Sequence, residues 1–187
     1  ASNSLDEFTI ESLLGQQGAR IDAFGVGERL ITSRSEPVFG GVYKLVAVKQ
    51  GGKFVPKIKV SENVEKITNP GLKKLYRVYD ERGYAIADLL TLCDEEPDLS
   101  KPYRYVDPVK PWKVRYFENC RAVELQKDIF VDGKLVYSQP PISEIRDFVR
   151  GQLAEEIWEE EQRFINPHIH YLDMSPRMYE VKMEILE

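Results

Sequence analysis

The chain is short of most things that announce a site. Among its 187 residues are only two cysteines, Cys93 and Cys120, and two histidines, His168 and His170. Neither CxxC nor HExxH occurs, so the common spacings of a zinc or redox site are missing. The two cysteines sit in strand-like contexts and read as reduced thiols of a cytosolic protein, without a disulfide. No run of apolar residues is long enough to span a bilayer, so no membrane partner is expected. The opening residues, Ala1-Ser2-Asn3-Ser4-Leu5-Asp6-Glu7, have no basic segment followed by an apolar core, and no signal peptide is expected. Basic charge is in deficit: 26 Lys and Arg against 31 Asp and Glu give a net charge of -5. Without an excess of cations to neutralise phosphates, nucleic acid is not the expected partner. There is no internal repeat and no low-complexity tract.

What is present is an ordinary globular composition, 42% hydrophobic and 30% charged, long enough for one domain and a small second one. The stretch around which the chain is organised is Arg20 to Ser33. Ile21–Phe24 reads as a short buried strand that enters a glycine-bracketed turn, Gly25-Val26-Gly27, with a further apolar segment from Leu30. Glycines at a strand's carboxyl end permit positive φ and let a ligand approach the backbone. Consecutive N–H groups in such a turn form an anion-binding concavity. In α/β barrels, phosphates often sit in the loops after the last strands. A phosphate-binding turn near the end of an α/β barrel is therefore the first expectation, with plain chain punctuation as its rival.

Before the turn, Ser4 to Leu14 reads as a helix with Ser4 as N-cap, Glu7 closing a capping box, and Gly15 and Gly18 as stops. From Phe39 the character changes. Strands are expected at Val42–Val48, Lys57–Val60, Leu75–Tyr79, Ala85–Leu90 and Trp112–Phe117. Turns are expected at Gly51-Gly52, Asn69-Pro70-Gly71 and Asp80–Gly83, and Asp132-Gly133 marks a hairpin within Ile129–Tyr137. The acidic run Asp94-Glu95-Glu96 reads as a solvated loop, with a cation site as the sharper alternative. After Pro140-Pro141, apolar residues at helical spacing run from Ile142 to Phe164, with Glu155, Glu156 and Glu159–Glu161 as a solvated face. Ser175-Pro176 opens a last helix through Leu186. His168 and His170, two apart, share one face of an extended stretch, which a shared metal would need, but no third ligand stands at a recognised spacing. Both are taken as structural or exposed, and no metal site is expected.

An ordered set of motifs resembles the later part of the nicotinate phosphoribosyltransferase family. It comprises Ser2-Asn3-x-Leu5-Asp6-Glu7, Gly18-Ala19-x-Ile21-Asp22-x-Phe24-Gly25-Val26-Gly27, Leu30-Ile31-Thr32-Ser33 and Gly40-Gly41-Val42-Tyr43-Lys44-Leu45-Val46. Lys57-Ile58-Lys59-Val60-Ser61-Glu62-Asn63-x-Glu65-Lys66-Ile67-Thr68-x-Pro70-Gly71 and Asp94-Glu95-x-Pro97 continue it. The likeness runs over essentially the whole chain and is closest to the long bacterial members. It implies an α+β chain: the last helix and strand of an irregular α/β (type II phosphoribosyltransferase) barrel in residues 1–38, a β-rich flanking domain in 39–138 and a helical segment in 139–187. It also implies a cytoplasmic, homodimeric glycosyltransferase of NAD salvage. Such an enzyme joins nicotinate to phosphoribosyl pyrophosphate, giving nicotinate mononucleotide and pyrophosphate, with hydrolysis of ATP and use of Mg2+.

By the same resemblance, Gly25, Val26 and Gly27 hold the 5′-phosphate, with Glu28 beside them, and Ser2 and Asn3 meet ribose and phosphate. Two positions depart from the family pattern. Many members have Thr where this chain has Glu28, and often Asp where Ser4 stands. A carboxylate beside a phosphate is repulsive unless it turns away. Glu28-Arg29 itself looks like the long bacterial branch. The family's phosphorylated histidine and nicotinate-binding residues match nothing here and are expected upstream of residue 1. No catalytic residue is therefore assigned, and the chain alone, which binds no cofactor on this reading, is expected to be inactive. The alternative is a non-catalytic relative acting as an interaction module, for which Glu28 and Ser4 speak.

Overall fold

The structure, a computed structural model, describes residues 1–32, 41–63 and 66–187. The expected change of character at Phe39, the boundary between residues 38 and 39, and the motif positions Ser33, Gly40 and Glu65 lie outside them. The chain divides into two units, Ala1–Tyr43 and Lys44–Glu187.

In the first unit, α1 (Glu7–Glu11) runs into a π-helical turn (Ser12–Gln16), and α2 is the single turn Glu28–Ile31. The cap of α1 is Asp6, not Ser4: the Asp6 carboxylate accepts from the Thr9 N–H at 2.9 Å. Ser4 is unavailable because its own backbone is left-handed, with φ 51°. Gly18, at φ 62°, reverses the chain after the helix, as expected of a glycine stop. The expected strand Ile21–Phe24 does not form. One parallel bridge, Ser2 to Gly25, forms just past it. A strand needs a ladder of backbone partners, and among the described residues this segment has no such ladder. Leu5, 5% exposed, is the buried apolar anchor of this unit.

The second unit is built on a four-stranded sheet. Ahead of it stands a hairpin of β1 (Ala47–Gln50) and β2 (Lys53–Pro56), turned by Gly51 and Gly52 at φ 56° and 80°. The expected strand Val42–Val48 is realised only from Ala47, because its partner spans four residues. Lys57–Val60 makes no ladder. It binds the 68 region through Lys59 N–H to the Thr68 hydroxyl (2.9 Å). The central hairpin β3 (Lys73–Tyr79) and β4 (Ala85–Leu92) forms as the sequence predicts. Next come β5 (Tyr103–Tyr105), β6 (Arg115–Phe117), β7 (Arg121–Glu124), β8 (Phe130–Val131) and β9 (Lys134–Leu135). After them follow α3 (Ile142–Glu155), a 3-10 turn (Glu159–Gln162), β10 (Leu172–Met174) and α4 (Pro176–Leu186). The sheet order is β10-β4-β3-β7, with β10 parallel to β4 and the other neighbours antiparallel.

Strand periodicity separates two environments. Val78, Ala87 and Leu89 meet Tyr76, Leu99 and Phe117 in the main core, with Tyr105 stacked on Phe117 at 4.0 Å. Leu92, Met174 and Met178 form a second core beneath α4. Fully buried side chains such as Leu89 and Met178 each contribute about 1.5–3 kcal/mol through removal from water. α3 is shorter than its apolar pattern suggests and ends at Glu155. α4 starts as expected, with Ser175 accepting from the Met178 N–H at 3.0 Å and Pro176 at the first position. Both cysteines are free thiols. Among the described residues, no helix is long and apolar enough to cross a membrane.

Candidate functional site

The first unit gathers the residues singled out in the sequence. The Gly25 N–H donates to the Ala1 carbonyl at 2.7 Å, next to the Ser2–Gly25 bridge. A Cβ built on Gly25 would lie 3.3 Å from the Ser2 Cβ, so glycine here serves the close approach of two backbones. Neither Gly25 nor Gly27 has positive φ, contrary to the expectation for the turn. The left-handed residues are instead Asn3 and Ser4, at φ 86° and 51°. Asn tolerates that conformation through its short polar side chain. For Ser it is strained by the order of 1 kcal/mol. Burial of Leu5 and capping by Asp6, immediately downstream, hold the kink in place.

Asn3, Ser4, Leu5, Gly25, Gly27, Glu28 and Arg29 surround a cleft of about 290 Å³. Ser2 and Val26 do not line it: Ser2 is paired with Gly25, and Val26 is half-buried in the turn between the glycines. Gly27 caps α2, and its carbonyl accepts from the Leu30 N–H at 3.1 Å. The first N–H groups of a helix have no acceptor within it, so those of Glu28 and Arg29 are available at this end of the cleft.

Sequence reasoning missed two participants. Asp6 Oδ1 accepts from the Thr9 N–H and from the Thr9 hydroxyl (2.6 Å), while Oδ2 accepts from Arg29 Nη1 at 2.9 Å. The Thr9 hydroxyl, the Thr9 N–H and Arg29 together pull the Asp6 carboxyl down to about 2. Asp6 is thus an anion throughout the physiological range. It fixes Arg29 at the rim of the cleft, where further guanidinium N–H groups can meet a negative ligand. The Asp6-x-x-Thr9 spacing was the available signal for the cap. Nothing local signalled the ion pair across 23 positions. Glu28 is exposed in the first helical turn, where the helix end favours a carboxylate. It lines the same cleft, and there it opposes an anion.

The other candidates lie in the second unit and have structural employment. Glu95 accepts from the Leu92 N–H (2.7 Å) and the Ser175 hydroxyl (2.9 Å), and Asp94 accepts from Arg177 at 2.9 Å. Asp94 and Glu96 are exposed, as expected of a solvated loop, while Glu95 is half-buried and fastens the start of α4. His170 sits between Glu161 at 3.1 Å and Asp88 at 3.4 Å, and His168 lies edge-on to Tyr171. Glu156 and Glu161, read as solvated, accept from the Tyr79 hydroxyl (2.8 Å) and contact His170, respectively. Among the described residues no group of three or more His, Cys, Asp or Glu side chains converges on a metal position.

The chain is thus an α+β protein with a glycine-bracketed turn leading into a helix, and with a mixed sheet capped by a C-terminal helix. The family model for the nicotinate phosphoribosyltransferase C-terminal domain matches residues 72–182. A Bacillus subtilis (strain 168) protein named nicotinate phosphoribosyltransferase is 40% identical over 185 residues, 98% of this chain and 37% of its own length. A Caenorhabditis elegans protein of that name is 38% identical over 96% of this chain and 31% of its own length. The crystal structure of human nicotinic acid phosphoribosyltransferase superposes with a TM-score of 0.73 at 24% identity, covering 100% of this chain and 32% of the human one. The chain belongs to the nicotinate phosphoribosyltransferase family. It spans about a third of the length of the relatives it matches.

Proposed function

We propose that this chain is the C-terminal third of a nicotinate phosphoribosyltransferase, and that its first unit anchors the 5′-phosphate of phosphoribosyl pyrophosphate. The observation that carries this is the convergence on one cleft of Asn3, Gly25, Gly27 and Glu28, backed by Ser2 and Val26, with Arg29 at the rim. The reaction leaves the 5′-phosphate untouched while positive charge develops at the ribose C1. An anchored phosphate fixes the ribose relative to the incoming nicotinate nitrogen, which is a positioning contribution. Backbone N–H groups at Glu28 and Arg29 and the Arg29 guanidinium supply the anchor, and Asn3 is placed to meet ribose or phosphate. Glu28 turns its carboxylate to solvent on binding.

In this reading residues 1–38 end an irregular α/β barrel, 39–138 form a β-rich flank and 139–187 a helical segment of a cytoplasmic homodimer. Nicotinate, ATP and Mg2+ are met by residues of the upstream part. The chain alone is expected to be inactive.

The test is nicotinate mononucleotide formation by the full-length protein and by the chain alone. The Gly25→Val and Arg29→Ala variants of the full-length protein should raise the KM for phosphoribosyl pyrophosphate and leave that for nicotinate in place. Turnover by the chain alone would contradict the reading. A second reading, a non-catalytic relative that serves as an interaction module, is favoured by one observation, the Glu28 carboxylate at the cleft. An inactive but folded full-length protein that binds no nicotinate mononucleotide would establish it.

A further inference from the structure

The segment after α3 leaves the edge of β4 and returns to it. Its first root is the Glu156 carbonyl, which accepts from the Ala85 N–H at 2.9 Å. Its second is the Tyr171 carbonyl, which accepts from the Asp88 N–H at 2.8 Å. Between these roots the chain closes across itself. His170 Nδ1 meets Glu161 Oε1 at 3.1 Å and Oε2 at 3.2 Å, and the His168 N–H donates to the Glu160 carbonyl at 2.9 Å. On the sheet side His170 Nε2, itself buried and out of hydrogen-bonding alignment, lies 3.4 Å from Asp88 Oδ1. Asp88 is held from β3 by Arg77, with Nε at 2.9 Å and Nη2 at 3.2 Å, a pairing that the strand register sets directly opposite. An open cleft of about 500 Å³ is lined by Leu153, Ile157, Pro167 and Ile169 together with Glu161 and His170.

The charges around His170 come from three elements. Asp88 faces it from β4, Arg77 stands behind Asp88 on β3, and Glu161 faces it from the 3-10 turn. Glu156, at the end of α3, acts on Arg77 from farther off, and the loop also carries Glu159, Glu160, Arg163 and His168. Two carboxylates against one guanidinium leave this half-buried group one positive charge short. An imidazolium supplies it; a neutral imidazole does not.

We propose that His170 is a proton-operated latch: protonated, it clips the loop between Glu156 and Tyr171 to Asp88 of β4 and to its own 3-10 turn, and deprotonated, it lets the loop open. The Asp88 carboxylate first, and Glu161 with it, hold the imidazole pKa above its ordinary value against the opposing effect of burial. A group whose pKa is raised by folding stabilises the closed form at low pH and loses that effect as pH rises through the folded value. The roots on β4 are backbone hydrogen bonds and the Tyr84–Trp158 contact at 4.4 Å is a ring stack, so neither depends on the His170 charge and the sheet stays in place when the latch opens.

The experiment pairs an NMR titration of the His170 ring with amide hydrogen exchange of the full chain from pH 5 to 9, corrected for intrinsic rates. Protection in residues 157–170 should fall at least about tenfold as His170 titrates, with β3 and β4 unchanged. His170→Gln should leave the segment open at every pH. Glu161→Gln, which keeps the histidine, should move the transition to lower pH. Protection that stays flat through the wild-type titration, or a Glu161→Gln midpoint equal to the wild type, would overturn the latch.

Discussion

Replacing Asp173 by Asn should make the second unit less sensitive to rising pH. Asp173 is the middle residue of β10 and is 3% exposed. Burial, and then the neighbouring Asp107 carboxylate, push its carboxyl up from 3.8 to about 6, against a smaller pull from Arg115. Below the unfolded value both states are protonated and the group costs nothing. Between the two values the unfolded chain ionises while the folded one resists, so stability falls as pH rises. Above about 6 the loss is complete. The gap between 3.8 and about 6, at about 1.4 kcal/mol per pH unit, corresponds to about 3 kcal/mol. The side chain is shielded from water, so little of this is lost to solvent screening. Asn does not titrate. Its amide brings a constant offset of the order of 1 kcal/mol for imperfect hydrogen bonding, but no slope. Urea unfolding of both proteins, followed by circular dichroism at intervals from pH 3.5 to 7.5, measures the difference. The Asn variant should gain about 3 kcal/mol on the wild type across that range. A difference that stays constant, or that moves the other way, would refute the argument that Asp173 is held uncharged by its surroundings.

Other substitutions probe separate parts of the account. Gly71→Ala forces a side chain to φ 89° and sets its Cβ 2.8 Å from Leu92 Cδ2. It should cost about 1–3 kcal/mol in chemical denaturation, and a neutral result would show that the loop can rotate. Tyr79→Phe removes the hydroxyl that donates to Glu156 at 2.8 Å. A loss of about 1.5 kcal/mol is expected for a hydrogen bond to a charged acceptor. Met178→Ala empties a position that is 0% exposed in the core beneath α4 and should cost about 2–5 kcal/mol. Asp6→Ala should free Arg29 and weaken the binding of ribose 5-phosphate to the full-length protein, as measured by calorimetry. Affinity equal to the wild type would separate Asp6 from the cleft.

What the sequence made legible was local. Asp132-Gly133 and Gly51-Gly52 impose left-handed turns on their own residues, and Ser175-Pro176 caps the helix that follows it immediately. The β3–β4 hairpin is read from its alternation because its partners adjoin in sequence. The remainder depends on distant partners. Leu172–Met174 is a strand only because β4 lies beside it, and Arg121–Glu124 only because β3 does. Ile21–Phe24 shows the converse: strong strand composition without a ladder to join. The candidate cleft was legible as a glycine turn with a strand end nearby. Its electrostatics were not, since Asp6 and Arg29 meet only after folding. Likewise nothing in the spacing of Asp88, Glu161 and His170 announces that they share one cluster.

The most direct test of the central claim is steady-state kinetics of nicotinate mononucleotide formation by the full-length protein with and without Gly25→Val. The added side chain begins 3.3 Å from the Ser2 Cβ and opens the close backbone approach that shapes the cleft. The account predicts a KM for phosphoribosyl pyrophosphate raised at least about tenfold, a loss of about 1.4 kcal/mol in binding, with the KM for nicotinate unchanged. Unaltered kinetics for phosphoribosyl pyrophosphate would contradict the assignment of this turn to the 5′-phosphate.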